Sequence, residues 1–289
     1  MPTRLYIIGN GFDIAHDFPC RYLDFKEYCR VNDPGIYQRI NLFYTDSDKL
    51  WSDFEKEMPN INENNLFNWA TAQNNEWNQN WDGYYWFIDT VREEVDYLQY
   101  LPFTFRDWVR SININNAGQR FRLNIGNSLY LSFNYTRVLE QVYGIPAHLV
   151  NHIHGVVDGD LALIAVGHGS TDEEINEMFD SENRLESEAC NEIKDLVRSW
   201  RKDTASIIQR NRPFFNALYN VNEIFVLGHS MANVDMPYFQ EVKENVQPNA
   251  LWSLSAYDER DYRRKHEAVQ DLQLADNNVH IIQLENLAD

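Results

Sequence analysis

Leu5-Tyr6-Ile7-Ile8-Gly9-Asn10-Gly11-Phe12-Asp13-Ile14-Ala15-His16 is the stretch whose reading decides the fold. Four consecutive apolar residues suit a strand covered on both faces. Gly9 and Gly11 then let the backbone turn tightly and approach another group without a Cβ in the way. A helix beginning near Asp13 would aim its free N–H groups and its dipole at that turn, which is how strand-glycine-helix units hold nucleotide phosphates. The spacing Gly-x-Gly-x-x-x-Ala departs from the dinucleotide fingerprint Gly-x-Gly-x-x-Gly. Taken alone, the stretch therefore fits a tight βα turn of any α/β protein as well as a nucleotide loop.

Working outward, strand-like runs recur with helical stretches between them: Ser128 to Phe133, Ala147 to Ile153, Leu161 to Val166, Glu223 to Leu227, Leu251 to Ala256 and Val279 to Leu284. Helical spacing covers Tyr22 to Tyr28, Lys49 to Met58, Tyr84 to Arg110, Arg137 to Tyr143, Asp172 to Asn220 with a break at Pro213, a segment from about Asp235, and Asp258 to Leu274. Such alternation predicts an α/β fold, a Rossmann-like and mostly parallel sheet with helices on both faces. Residues 45–118 are rich in Asn, Gln and Trp and separate the first two strands by more than a simple crossover needs, so they read as a helical insertion lobe within a single domain spanning residues 1–289.

Composition narrows the function. The chain has 289 residues, 44% of them hydrophobic and 14% aromatic, which suits a globular protein with a full core. Its net charge of −19 and the lack of a basic stripe speak against nucleic acid as a partner. Cys20, Cys29 and Cys190 form neither a disulfide framework nor a metal-ligand spacing, and fit a reducing compartment. No run of roughly 18 apolar residues occurs. The expectation is a cytoplasmic protein that needs no membrane and no metal, with a homo-oligomer or another protein as its other partner.

Four polar clusters follow expected strands: Gly9-Asn10-Gly11-Phe12-Asp13, Phe133-Asn134-Tyr135-Thr136, His154-Gly155, and Gly228-His229-Ser230 with Asp235. In a parallel sheet all four share the carboxyl edge, where ligands of open α/β sheets bind. Each also has a plain structural role: Asn134 and Ser230 as helix caps, His154 as a turn residue, Asp235 as a first-turn carboxylate. Trp51, Phe54 and Met58 form a helical stripe of the kind that builds cores, and Trp51 and Glu55 could instead wall a pocket. Among the histidines, His152 and His154 lie two apart on a strand and could form a metal pair, but no third ligand accompanies them. His229 could meet a ligand, and His16 reads as a polar residue of the first helix.

These segments, with Trp51-Ser52-Asp53-Phe54-Glu55, resemble the bacterial abortive-infection AbiH family along nearly the whole chain. That resemblance implies defence against bacteriophage, in which an infected cell stops growing or dies before the phage spreads. The order of glycine loop, Asn turn, His-Gly and Gly-x-Ser is also similar, more distantly, to sirtuin-like NAD-consuming domains. This second similarity implies Asn134 at the ribose or attacking water and His154 as general base. It further implies the loop Gly9 to Asp13 at the pyrophosphate and Ser230 with Asp235 near the adenosine half, Gly228 and His229 being counted with them as nucleotide-binding. Asn10 replaces the alanine usual in the sirtuin loop, Thr136 stands where an acid is expected, and the four-cysteine zinc ribbon is missing, so acetyl-lysine removal is not expected. NAD or a related nucleotide would be substrate or ligand, with no further cofactor; the rival reading is a non-catalytic nucleotide sensor.

Overall fold

A computed structural model describes residues 1–73, 81–115, 117–157, 164–181 and 183–284. In chain order its elements are β1 (Arg4–Ile8), α1 (Asn10–Ile14), α2 (Tyr22–Asn32), α3 (Pro34–Phe43), α4 (Ser47–Leu50), α5 (Phe54–Glu57), α6 (Glu63–Ala72), α7 (Trp81–Leu98) and α8 (Leu101–Ser111). Next come β2 (Ser128–Ser132), α9 (Val138–Gln141), β3 (Val150–His152), α10 (Asp172–Met178), α11 (Arg184–Ser199), α12 (Thr204–Arg210) and α13 (Arg212–Asn216). The chain closes with β4 (Glu223–Leu227), α14 (Met236–Asn245), β5 (Leu251–Ala256), α15 (Glu259–Asp271) and β6 (Val279–Gln283).

The chain divides into two compact units, and both are discontinuous. The sheet unit takes Met1–Arg21, Val109–Ala165 and Asp203–Asp289; the helical unit takes Tyr22–Trp108 and Val166–Lys202. The helical unit thus draws on segments before and after the range 45–118, because apolar faces of α2 and α11 supply parts of its core.

In the sheet unit six strands pair in the order β3-β2-β1-β4-β5-β6, every neighbouring pair parallel. This is the doubly wound order of Rossmann-like folds. Alternation along each strand feeds two cores. Leu5, Ile7, Leu129, Leu131, Ile224 and Val226 face one layer, which includes Phe215, Tyr238, Phe239 and Val269. Tyr6, Ile8, Tyr130 and Leu227 face the other, with Phe12, Val138 and Leu139. On that second face Tyr130, Tyr6 and Phe225 stack across three strands at centroid spacings of 5.2 and 5.1 Å, in register.

Several sequence expectations are corrected. The strand expected from Ala147 is a 3-10 turn over Ala147–Leu149 following Pro146, and β3 proper has three residues. Of Leu161 to Val166, residues 161–163 lie outside the described set and 164–166 form no strand. The helix break expected at Pro213 falls at Asn211, between α12 and α13, and Pro213 stands in the first turn of α13, where its missing N–H costs nothing. The helix expected over Lys49–Met58 is two single turns, α4 and α5, separated by residues 51–53, of which Asp53 sits at the N-cap position of α5.

The helical unit has an aromatic core. Phe25 meets Trp51, Phe54, Phe105 and Trp108 at centroid distances of 5.7, 5.1, 5.2 and 5.2 Å. No helix among the described residues is long and apolar enough to cross a membrane.

Candidate functional site

The sheet register brings the four polar clusters to one edge. Ile8 pairs with Ser132 and with Leu227, and Ser132 pairs with His152, so the residues following β1, β2, β3 and β4 emerge side by side. Asp13, Asn134, Thr136, His154, His229 and Asp235 are all buried there. Buried polar groups of this kind are kept only where they are bonded or used.

The first group centres on Asp13. Its carboxylate accepts a hydrogen bond from Asn134 Nδ2 at 2.7 Å and another from Thr136 Oγ1 at 2.5 Å. Burial raises the Asp13 carboxyl to about 6, although the Thr136 and Asn134 hydrogen bonds and the charge of His152 pull the other way. Asn134 is anchored at its backbone as well: its N–H donates to Ser132 Oγ at 3.2 Å, and its carbonyl lies 3.1 Å from His152 Nδ1. The other ring nitrogen of His152 lies 2.9 Å from Glu140 Oε1. Both nitrogens of that ring thus lie within hydrogen-bond distance of an oxygen. Burial pushes the Glu140 carboxyl up, but the hydrogen bond and charge of His152 leave it below the usual range.

The second group is a carboxylate between two imidazoles. Asp235 Oδ1 stands 3.5 Å from His154 Nε2, and Asp235 Oδ2 stands 3.5 Å from His229 Nε2. Met231 N–H donates to His229 Nδ1 at 2.8 Å, so the proton of that ring lies on Nε2 and points to Asp235. Phe133 presents its ring to both imidazoles, at 5.1 Å from His154 and 4.2 Å from His229. A carboxylate so placed orients an imidazole and stabilises its protonated form, which suits general-base chemistry.

The glycine turns are closed against each other. Gly9 N–H donates to Leu227 O at 2.9 Å and Gly11 N–H to Gly228 O at 2.7 Å. A Cβ on Gly9 would meet His229 Cα at 2.4 Å, and one on Gly228, whose φ is +64°, would meet Phe12 N at 2.2 Å. Two N–H groups of the loop expected at the pyrophosphate are therefore engaged within the protein, and α1 is a helix of only 5 residues. Phe12 is buried in the core, the exposed Asn10 donates from Nδ2 to Cys20 O at 2.6 Å, and Ser230 is half-buried in its turn.

The other residues singled out in the sequence have partners of their own. Trp51 and Glu55 belong to the helical unit: Trp51 lies in the aromatic core, and Glu55 pairs with the buried Lys202 at 2.8 Å. His152 and His154 turn to different partners, and no group of three or more potential metal ligands is present among the described residues. His16 is a core residue, bonded to Phe12 O and Tyr143 Oη at 2.8 and 2.9 Å.

Sequence reasoning missed three supports. Lys265, fully buried on α15, donates to the His229 carbonyl and to Asp261 at 3.1 Å. Ser255 accepts from Gly228 N–H at 2.8 Å. The third is the pair His152–Glu140. A buried lysine in a polar helix carries no local signal, since only the partner elements reveal its burial.

A family model described as Bacteriophage abortive infection AbiH matches residues 5–256. No curated protein and no solved structure matches the chain. The similarity to sirtuin-like domains finds no support in these comparisons.

Proposed function

Since the chain belongs to the bacteriophage abortive infection AbiH family, with its role in phage defence, we propose that it is a cytoplasmic effector that hydrolyses NAD or a related nucleotide. Asn134 and His154 serve at the reaction centre. The observation that carries this reading is the gathering of Asp13–Asn134 and His154–Asp235–His229 at the carboxyl edge of one parallel sheet, where α/β folds bind ligands.

The chemistry asks little else of the chain. As the ribosyl bond breaks, its electron pair leaves with nicotinamide, which departs neutral, and the sugar becomes oxocarbenium-like. Water then attacks the anomeric carbon, its proton passes to the ring nitrogen of His154 that is turned away from Asp235, and Asp235, facing Nε2, stabilises the resulting imidazolium. Orientation, a base and exclusion of bulk water supply the acceleration.

The test is liquid chromatography of nucleotides after incubating purified protein, freed of any inhibitor or supplied with its activating partner, with NAD and related nucleotides. Free nicotinamide from the unsubstituted protein, and none from Asn134→Ala or His154→Ala, is the expected result; intact nucleotides throughout would refute hydrolysis.

A second reading, a nucleotide sensor acting through a toxic partner, draws on the engagement of the Gly9 and Gly11 N–H groups by the β4 turn. For a sensor, His154→Ala keeps both binding and biological effect. For the enzyme it keeps binding and loses turnover.

A further inference from the structure

Hydrogen-bond accounting at Asn134 leaves a single group over. Its N–H, its carbonyl and Nδ2 are bonded to Ser132, His152 and Asp13. The side-chain oxygen Oδ1 is buried and has no hydrogen-bond partner among the described residues. Native proteins leave few buried acceptors unmet, and those that are unmet call for a ligand or an ordered water.

The identity of that open group follows from Asp13. An ionised carboxylate only accepts hydrogen bonds, and Thr136 Oγ1 already donates to its second oxygen. The Asn134 amide must therefore face Asp13 with NH₂, and the reverse orientation would set two oxygens against each other. We propose that Asp13 is a positioning residue that locks the Asn134 amide with Oδ1 offered to the ligand. This subsite then takes a hydrogen-bond donor, a sugar hydroxyl of the nucleotide, and does not take a phosphate oxygen.

The inference rests on the nucleotide reading above and deepens it. It also moves Asp13 from the phosphate-holding role expected of the glycine loop to control of polarity at the ribose. Thr136, standing where the sequence pattern expects an acid, supplies the hydroxyl that fills the far side of Asp13.

The experiment is isothermal titration of the full chain with ADP-ribose, with its counterpart lacking the ribose 2′- and 3′-hydroxyls, and with inorganic pyrophosphate. The expected result is a preference of about tenfold or more for the hydroxylated probe, since its loss leaves a buried acceptor unpaired. In Asp13→Asn the new amide can face Asn134 with either its oxygen or its NH₂, so the preference falls toward one. In Thr136→Val the carboxylate still dictates the Asn134 orientation, and the preference persists. A merely structural Asp13 would weaken both probes together and leave their ratio unchanged in Asp13→Asn, which overturns the proposal. Equal affinity of the two probes for the unsubstituted protein, the result for an Oδ1 that holds only water, overturns it while the nucleotide reading stands. Failure of both probes to bind, with or without pyrophosphate binding, overturns the nucleotide reading and this inference with it.

Discussion

Replacing Gly228 by alanine tests whether the contact between the two glycine turns holds the site together. Two costs add at this position. A φ of +64° is strained for any residue with a Cβ, by about 1–2 kcal/mol. The new Cβ would also stand 2.2 Å from Phe12 N and 2.6 Å from Gly11 C, so the β4 turn must withdraw from the loop. Withdrawal breaks the 2.7 Å bond from Gly11 N–H to Gly228 O and leaves buried groups unpaired, about 1–3 kcal/mol. Reduced freedom of the unfolded chain returns about 0.4–1 kcal/mol. The net loss is about 1–5 kcal/mol. With an unfolding entropy of about 2.1 cal/mol/K per residue, the 289-residue chain should melt about 2–8 °C lower. Two other glycines separate the contributions. Gly144, at φ +66° with open space around it, carries the strain alone and should lose about 0–1.6 kcal/mol. Gly118 has neither feature and should stay within about 0.5 kcal/mol. Thermal unfolding followed by circular dichroism ranks the three alanine variants. A Gly228→Ala melting temperature equal to that of Gly118→Ala would refute the reasoning.

Three further outcomes follow from the same geometry. Burial lifts the Asp13 carboxyl from 3.8 to about 6, so the folded state holds this proton longer than the unfolded chain and the contribution to stability is lost as pH rises from about 4 to 6. At about 1.4 kcal/mol per pH unit, Asp13→Asn should gain about 3 kcal/mol relative to the unsubstituted protein between pH 4 and pH 7, read from urea midpoints at the two values; a constant difference would contradict the raised carboxyl. Phe133→Ala removes the ring packed on His154, His229, Tyr238 and Phe239 and should cost about 3–5 kcal/mol in urea unfolding; a loss below about 1 kcal/mol would mean the aromatic packing contributes little. In the helical unit, Lys202→Met should cost about 3 kcal/mol by stranding Glu55, and adding Glu55→Gln should recover much of it; additive losses in the double-mutant cycle would show that the two side chains are not coupled.

The elements most legible in the sequence were short, mainly apolar runs between helical stretches. Glu223 to Leu227, which runs into Gly228, and Leu251 to Ala256 are strands at the bounds read from the residues. β3 was overextended because Ala147–Leu149 has similar composition, and its half-buried residues give no alternation to mark where pairing begins. At the candidate site, the shared edge was legible from four turns following four strands. The partners were not. Asp13 meets Asn134 across 121 positions of chain, and the pairing depends on β1 and β2 being neighbours, which local sequence does not encode. Glu140 and Lys265 look like ordinary helix-surface charges until the strand ends they serve are known.

The order of the sheet also sets when the site can exist during synthesis. β1 is the first strand made, yet one of its two partners, β4, ends at Leu227. Both segments of the helical unit are complete by Lys202, before β4 and the turn carrying His229 and Asp235 have been translated. A ribosome that halts before Asp235 therefore releases a polypeptide lacking one member of the buried His154–Asp235–His229 group. This topology makes the His154–Asp235–His229 group a late product of synthesis, present only in chains that extend past Asp235.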